Sequence, residues 1–242
     1  MKLKEMKETE PVIIKAFDLD DAWFKVVRAC MESGYKRPVF HGTSKGQERK
    51  ELDYVFIEIT NPSHRPLVPM IPEGIPPPTS IDYVNRYLAY LMTPYKDEWE
   101  SYTYGERMTA MSKIDMVEGQ RVSSIDFNQL DRVIKILKVT PESNRSNIVI
   151  AKAEDLILDH PPCMRSIQFK VRYNKLHMSL YFRSWDAWGG FPSNLAALQL
   201  MKEYIGGLIE VEDGKIFAAS MGLHVYEGEW EYASTLVGGI RD

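Results

Sequence analysis

Residues 61–80, NPSHRPLVPMIPEGIPPPTS, hold seven of the chain's fourteen prolines. Proline lacks the amide proton that helices and sheet ladders need and locks φ, so this stretch forms neither a regular helix nor a central strand. A chain of 242 residues interrupted in this way carries the stretch either as a linker between domains or as a stiff loop within one. Charge and apolar content do not shift across it, which predicts a single domain over residues 1–242 with a long surface loop at 61–80.

Hydrophobic periodicity around the loop predicts helices and strands. Asp18 is placed to cap a helix whose apolar positions Leu19, Trp23, Val26, Val27 and Cys30 recur at steps of three and four, ending near Ser33-Gly34. Residues 52–60, LDYVFIEIT, read as one buried strand. Ser80 opens a second helix through Ile81, Val84, Leu88 and Leu91, and Asp126 a third through Leu130, Val133, Ile134 and Leu137. Strand patterns follow at 147–153, 166–173, 176–182 and 215–221, with Tyr173-Asn174-Lys175 as a tight turn joining the middle two. Ser193 is placed to cap a fourth helix over Leu195, Leu198, Met201 and Ile205, stopped by Gly206-Gly207. The predicted fold is α/β (α+β): a mixed, twisted sheet of about five or six strands with helices packed on it.

Thirty Lys and Arg against 34 Asp and Glu give a net charge of −4. That balance excludes the basic face of a duplex nucleic-acid binder and leaves any anionic ligand to a few local cations. Cys30 and Cys163 are too few for a disulfide framework or a cysteine-based zinc site, and the five histidines show no His-x3-His spacing. No apolar run reaches the roughly 18–20 residues of a membrane span, and MKLKEMKETE has no apolar leader core. The expectation is a cytoplasmic protein with no metal and no membrane contact.

Chemistry concentrates in the C-terminal half: Pro161-Pro162-Cys163, Gln168, Arg183-Ser184-x-Asp186, Gly190-Phe191-Pro192-Ser193-Asn194 and His224-Val225-Tyr226. Cys163 and Arg183 fall at the two ends of one predicted hairpin, which returns its end beside its start. The guanidinium is thereby expected beside the sulfur, lowering its pKa toward a reactive thiolate. Ser184, Arg183 and the amides of a helix starting at Ser193 form a set suited to a phosphate.

The order and spacing of these five elements resemble the folate-dependent, cysteine-using thymidylate synthase family, over residues 140–226. Upstream, Tyr102-Thr103-Tyr104-Gly105-Glu106-Arg107 is similar to the family's Y-G segment, particularly in its shorter archaeal-type branch, and Pro141-Glu142-Ser143-Asn144-Arg145 to its arginine segment. The resemblance implies a thymidylate synthase-like domain that dimerises through its sheet, making dTMP from dUMP. Cys163 would add to C6 of the pyrimidine, with Arg183 and Asn194 in the catalytic set. Asn194 would read the uracil edge, while Arg183, Ser184 and Arg145 of the neighbouring subunit would hold the 5′-phosphate. His224 and Tyr226 would meet the sugar 3′-hydroxyl. Asp186 and Tyr104 would face the pterin, and Gln168 would share the pocket. The implied cosubstrate is 5,10-methylene-tetrahydrofolate or a methylene-tetrahydromethanopterin-type pterin.

The chain departs from the family's pattern at several places. Asn144 stands where the first of two arginines is expected, and Met164 where many members carry histidine. The glycine-rich phosphate loop is absent, its nearest counterpart being Gly42-Thr43-Ser44-Lys45-Gly46 with Arg49, so that Lys45 or Arg49 supplies the N-terminal cation. Glu100 and Glu106 are the available substitutes for the family's glutamate, and the end of the chain at 238–242 does not resemble the apolar closing tail. Two alternatives accompany the leading one: a pyrimidine nucleotide 5-hydroxymethylase, and a non-catalytic nucleotide- or RNA-binding relative.

Overall fold

The computed structural model describes residues 10–40, 42, 44–117 and 120–239. In chain order, strand β1 is Val12–Ala16, helix α1 Leu19–Ser33, β2 Tyr35–Pro38, β3 Glu48–Leu52, β4 Val55–Ile59, α2 Ile81–Leu91 and α3 Tyr104–Thr109. Then follow β5 Met111–Val117, β6 Gln120–Phe127, α4 Gln129–Val139, β7 Asn147–Val149, β8 Met164–Arg172 and β9 Lys175–Phe182. The chain ends with β10 Trp185–Asp186, α5 Gly190–Ile209, β11 Glu212–Ser220, β12 Leu223–Tyr226 and α6 Trp230–Gly239. A six-stranded mixed sheet runs β1-β4-β11-β9-β8-β7, a second sheet runs β10-β12-β3-β2, and β5 pairs with β6. The predicted mixed α/β architecture is present, with a second sheet beside the expected one.

The caps explain where the helices start. Asp18 accepts the Asp21 amide at 2.9 Å to open α1, and Ser80 accepts the Tyr83 amide at 3.2 Å to open α2. Within α1 the residues read as apolar from the sequence, Leu19, Trp23, Val26, Val27 and Cys30, are buried. Helix α5 is buried on nearly all sides, its apolar residues spread around the helix with Ser193, Gln199 and Lys202 buried among them, and it packs against α1, α2, α4 and the strands beneath.

Four expectations are corrected. The single strand at 52–60 is two: Leu52 and Val55 are both buried, a spacing of three that breaks the two-residue alternation, and the chain turns there from one sheet into the other. The cap of α4 is Asn128, which accepts the Asp131 amide at 3.0 Å, whereas Asp126 lies in β6. The strand at 147–153 shortens to β7, followed by a 3-10 turn at Ala153–Ile157. Helix α5 starts four residues before Asn194, its Ser193 hydroxyl donating back to the Gly189 carbonyl, and it passes through Gly206-Gly207 to end at Glu210, which takes the left-handed conformation. Residues 61–80 contain no helix or strand, as expected, yet they are pinned: Leu67 is buried, and Arg65 makes a two-pronged bond to Glu203 at 2.9 and 2.8 Å.

Among the described residues, helices cover one face of the large sheet. The other carries Ile13, Phe56, Tyr181 and Phe217, which are 70%, 46%, 37% and 41% exposed. Register puts Ile13 opposite Phe56, Phe56 opposite Ala219 and Ala219 opposite Tyr181, so these side chains form one band across the sheet.

A buried ion pair staples the segments that lead into the site. Arg107 of α3 reaches Asp155 of the 3-10 turn at 2.6 Å, and Asp155 also accepts the Lys152 amide at 2.8 Å. Gly105 lets α3 abut the end of α2, because a Cβ there would overlap the carbonyls of Tyr90 and Thr93. Removing one partner of a buried pair leaves an uncompensated charge. Asp155→Ala is therefore expected to lower the unfolding free energy by about 3–5 kcal/mol in urea titrations; a loss below about 1 kcal/mol, the worth of an exposed pair, would contradict the staple.

Candidate active site

Strands β8 and β9 pair antiparallel around a turn in which Tyr173 and Asn174 have φ of 52° and 59°. The hairpin brings Cys163, one residue before β8, against Arg183, one residue after β9: the Arg183 amide donates to the Cys163 carbonyl at 2.9 Å. The guanidinium is then clasped by the two prolines before the cysteine, Nη2 donating to the Pro161 carbonyl at 2.6 Å and Nε to the Pro162 carbonyl at 3.0 Å. This clasp holds Nη2 3.9 Å from Cys163 Sγ.

Cys163 and Arg183 open onto a cavity of about 680 Å³, whose wall also includes Ser184, Tyr226, Arg49 and Tyr102. Strands β3 and β12 pair so that Arg49 lies opposite Tyr226 and Glu51 opposite His224. Arg49 contacts Glu51 at 2.5 Å and donates to Tyr226, which aims this cation into the same cavity as Arg183. Of the two expected N-terminal cations it is thus Arg49 that joins the site. Lys45 is exposed and does not line the cavity, and Thr43 of the same segment lies outside the described residues.

Burial raises the pKa of the Cys163 thiol, against the pull of Arg183, Arg165 and Arg49 toward the thiolate. The expected lowering by Arg183 is therefore real in direction but outweighed by desolvation. Beneath the thiol, the Tyr104 hydroxyl accepts the amides of Cys163 and Met164, the latter at 3.2 Å. Burial lifts Tyr104 well above the usual phenol range and holds Tyr102 up at about 12. Both tyrosines therefore stay protonated at neutral pH.

His224 is 2% exposed. Its Nδ1 donates to the Gly222 carbonyl at 2.8 Å, and burial holds its pKa down at about 4, so the ring is neutral and Nε2 is an acceptor. Nε2 has no partner among the described residues. Asp186 accepts the amides of Trp188, Gly189 and Gly190 at 3.0, 3.1 and 2.9 Å, so its carboxylate, and not a ligand, satisfies the start of α5. The free amides expected after Ser193 are accordingly not available to a phosphate. Asn194 in the first turn of α5 is held by Trp185 and Tyr87.

Of the expected site residues, Cys163, Arg183, Ser184 and Tyr226 line the cavity; Tyr104, Asp186, Asn194 and His224 do not, and Gln168 and Arg145 lie elsewhere in the fold. Gln168 points to the uncovered face of the large sheet, donates to the Asn144 carbonyl at 3.1 Å, and lines a separate groove with Lys170, Arg172 and His177. Alternation along β8 dictates this, since Ile167 and Phe169 take the covered face. Arg145 is exposed on the loop before β7, outside the cavity of its own chain. Glu100 accepts the Tyr90 hydroxyl at 2.8 Å and Glu106 pairs with Lys96 at 3.3 Å; neither lines the cavity. The sequence reading assigned no role to Tyr102, His160 or Tyr87; the aromatic run at 99–107 and the position of His160 directly before the two prolines were the signals for the first two. Among the described residues no three His, Cys, Asp or Glu side chains gather to hold a metal, and no helix is long and apolar enough to cross a membrane.

A half-buried thiol, its tethered arginine and a second arginine share one cavity, an arrangement suited to an anionic ligand. Residues 85–238 match the family profile described as Thymidylate synthase. Proteins of Methanosarcina acetivorans and Methanosarcina mazei that carry the name "Putative thymidylate synthase" are 28% and 29% identical, each over 95% of this chain and 96% of their own. One of the same name from Methanothermobacter thermautotrophicus is 31% identical over 56% of both chains. The chain belongs to the thymidylate synthase family.

The thiol chemistry is directly testable. The rate of Cys163 alkylation by iodoacetamide should rise with pH to an inflection above 9.0, the ordinary thiol value, and Arg183→Gln should move it higher still. An inflection below the ordinary value, or one that falls in Arg183→Gln, would contradict the balance of burial and charge.

Proposed function

We propose that this protein is a thymidylate synthase in activity as well as family, methylating dUMP at C5 with the one-carbon unit of a methylene-carrying reduced pterin. The single observation that carries the reading is the clasp that fixes the Arg183 guanidinium beside Cys163 at the mouth of a cavity holding a second cation, Arg49. The thiolate adds to C6, and C5, now an enolate-type carbon, bonds to the pterin methylene. The C5 proton leaves to water and the pterin is released from the carbon. Hydride from the pterin then reduces the exocyclic methylene to methyl, which leaves the pterin oxidised by two electrons, and the thiolate departs. Tetrahydrofolate and tetrahydromethanopterin derivatives both supply this chemistry, and offering them separately tells them apart.

Each remaining role has a physical basis. Arg183, Arg49 and Ser184 share a wall that suits the 5′-phosphate. A sugar 3′-hydroxyl is the kind of donor that the unpartnered Nε2 of His224 lacks, with Tyr226 beside it, ring centroids 4.6 Å apart. The pterin-side roles of Asp186 and Tyr104 rest on the family resemblance, their oxygens being engaged by the amides of residues 188–190 and 163–164. The catalytic unit is a homodimer formed through the uncovered sheet face, where the band of Ile13, Phe56, Tyr181 and Phe217 would be buried. Dimerisation there would let Arg145, remote from its own cavity, serve the partner's phosphate, and would place Gln168 in the interface.

Tritium release from 5-tritiated dUMP, followed by identification of the product, tests the reading. Release with thymidylate formed supports it; release with a 5-hydroxymethyl product would move the protein to the hydroxymethylases. Cys163→Ala should lower turnover by more than about a thousandfold, the usual scale for losing a covalent nucleophile, while nucleotide binding persists. Mixing inactive Arg145→Ala and Cys163→Ala chains should restore activity, because one of the two sites in each mixed dimer is whole; a monomer at micromolar concentration by sedimentation would rule out shared sites.

A further inference from the structure

We propose that Trp185, through the single hydrogen bond its indole can make, fixes the orientation of the Asn194 amide and so sets which pyrimidine the site accepts: uracil and not cytosine. The inference rests on the reading that Asn194 meets the base. A primary amide offers an acceptor and two donors, and half a turn about its last side-chain bond exchanges them. Uracil presents an acceptor at O4 and a donor at N3, while cytosine presents the reverse. A freely turning amide serves both bases equally.

In this protein the amide does not turn freely. Oδ1 of Asn194 accepts from Trp185 Nε1 at 2.9 Å, and Nδ2 donates to the Tyr87 hydroxyl at 2.9 Å. The two partners are not equivalent. A phenol hydroxyl both donates and accepts, so Tyr87 fits either orientation. An indole N–H only donates, so turning the amide over would set two donors against each other. Trp185 is 2% exposed, where solvent does not remake the lost bond.

The indole itself is held still. Its ring stacks on Phe182 with centroids 3.8 Å apart and an interplanar angle of 2°, and it leans on Phe191 at 4.7 Å. Trp185 also follows Arg183 and Ser184 directly, so the segment that carries groups for the phosphate also orients the amide for the base. After its two internal bonds Asn194 retains one N–H and one lone pair, the pair that O4 and N3–H of uracil require. Cytosine would set its amino group toward that N–H and its bare N3 toward the lone pair.

Calorimetric titration of dUMP and dCMP into the unmutated protein, Trp185→Phe and Tyr87→Phe tests this. The unmutated protein should favour dUMP by at least about tenfold, the scale of one unsatisfied buried polar group. Trp185→Phe keeps an aromatic ring against Phe182 and removes the donor together with part of the indole's volume; it should narrow the dUMP:dCMP ratio by about fivefold or more. Tyr87→Phe should leave the ratio within about twofold, since either amide orientation loses the same partner there. General loosening of the pocket would weaken both nucleotides together and leave the ratio alone. An unchanged ratio in Trp185→Phe, or a collapsed ratio in Tyr87→Phe, overturns the assignment, and the second of these results overturns it even should Trp185→Phe fold poorly. Failure of the unmutated protein to bind dUMP at all is a separate result that overturns the nucleotide reading and this inference with it.

Discussion

The carbonyl oxygens of Pro161 and Pro162 hold the Arg183 guanidinium, and the rest of the site depends on that clasp. Proline has no amide proton to give, but its carbonyl is an ordinary acceptor, so two consecutive prolines offer two acceptors on a stiff backbone. Arg183 occupies both, at 2.6 and 3.0 Å, while its own amide closes the hairpin on the Cys163 carbonyl. A charged side chain tied at two points, on a backbone tied at a third, is already oriented before any ligand arrives, so little ordering cost remains for binding an anion. Cys163 takes its position from the same bonds.

Around this centre the chain arranges charge against burial. Three arginines from three elements, Arg183 after β9, Arg165 in β8 and Arg49 in β3, favour the thiolate, while burial opposes it and prevails. The corner at Asp53-Tyr54 matters here, because it sends β4 into the large sheet and leaves β3 beside β12, where Arg49 meets Tyr226 and Glu51 meets His224. The Arg107–Asp155 pair performs a similar task on the other side, tying the helix that carries Tyr104 to the turn that precedes Pro161.

Much of this was legible in the sequence because it is local. The caps at Asp18 and Ser80, the apolar face of α1, the hairpin around Tyr173-Asn174 and the return of Arg183 to Cys163 all follow from spacing alone. What escaped was set by tertiary contact. The strands β2, β10 and β12 are two to four residues long and gain their partners only from distant segments, so no periodicity announces the second sheet. Ser193 followed by an apolar run looks like a cap, but Asp186 reaches the earlier amides first. The Gly206-Gly207 pair reads as a stop signal, yet burial of Gly206 among its neighbours carries α5 past it. Gln168 was grouped with Cys163 by motif, although strand alternation turns it to the opposite face. Nothing in the sequence links Tyr87 to Trp185 and Asn194, since it lies 107 residues before Asn194 and meets it only through the fold.

The central claim is that Cys163 forms a covalent bond to C6 of a uridylate within this clasp. Incubating the protein with a reduced methylene pterin and 5-fluoro-dUMP tests it most directly, because fluorine at C5 does not leave as a proton does and the reaction halts with the nucleotide attached. Mass spectrometry of the digested protein should find the added nucleotide and pterin on the peptide containing Cys163, and no such adduct in Cys163→Ala. An adduct on another residue, or none while the thiol remains reactive to iodoacetamide, would contradict the account.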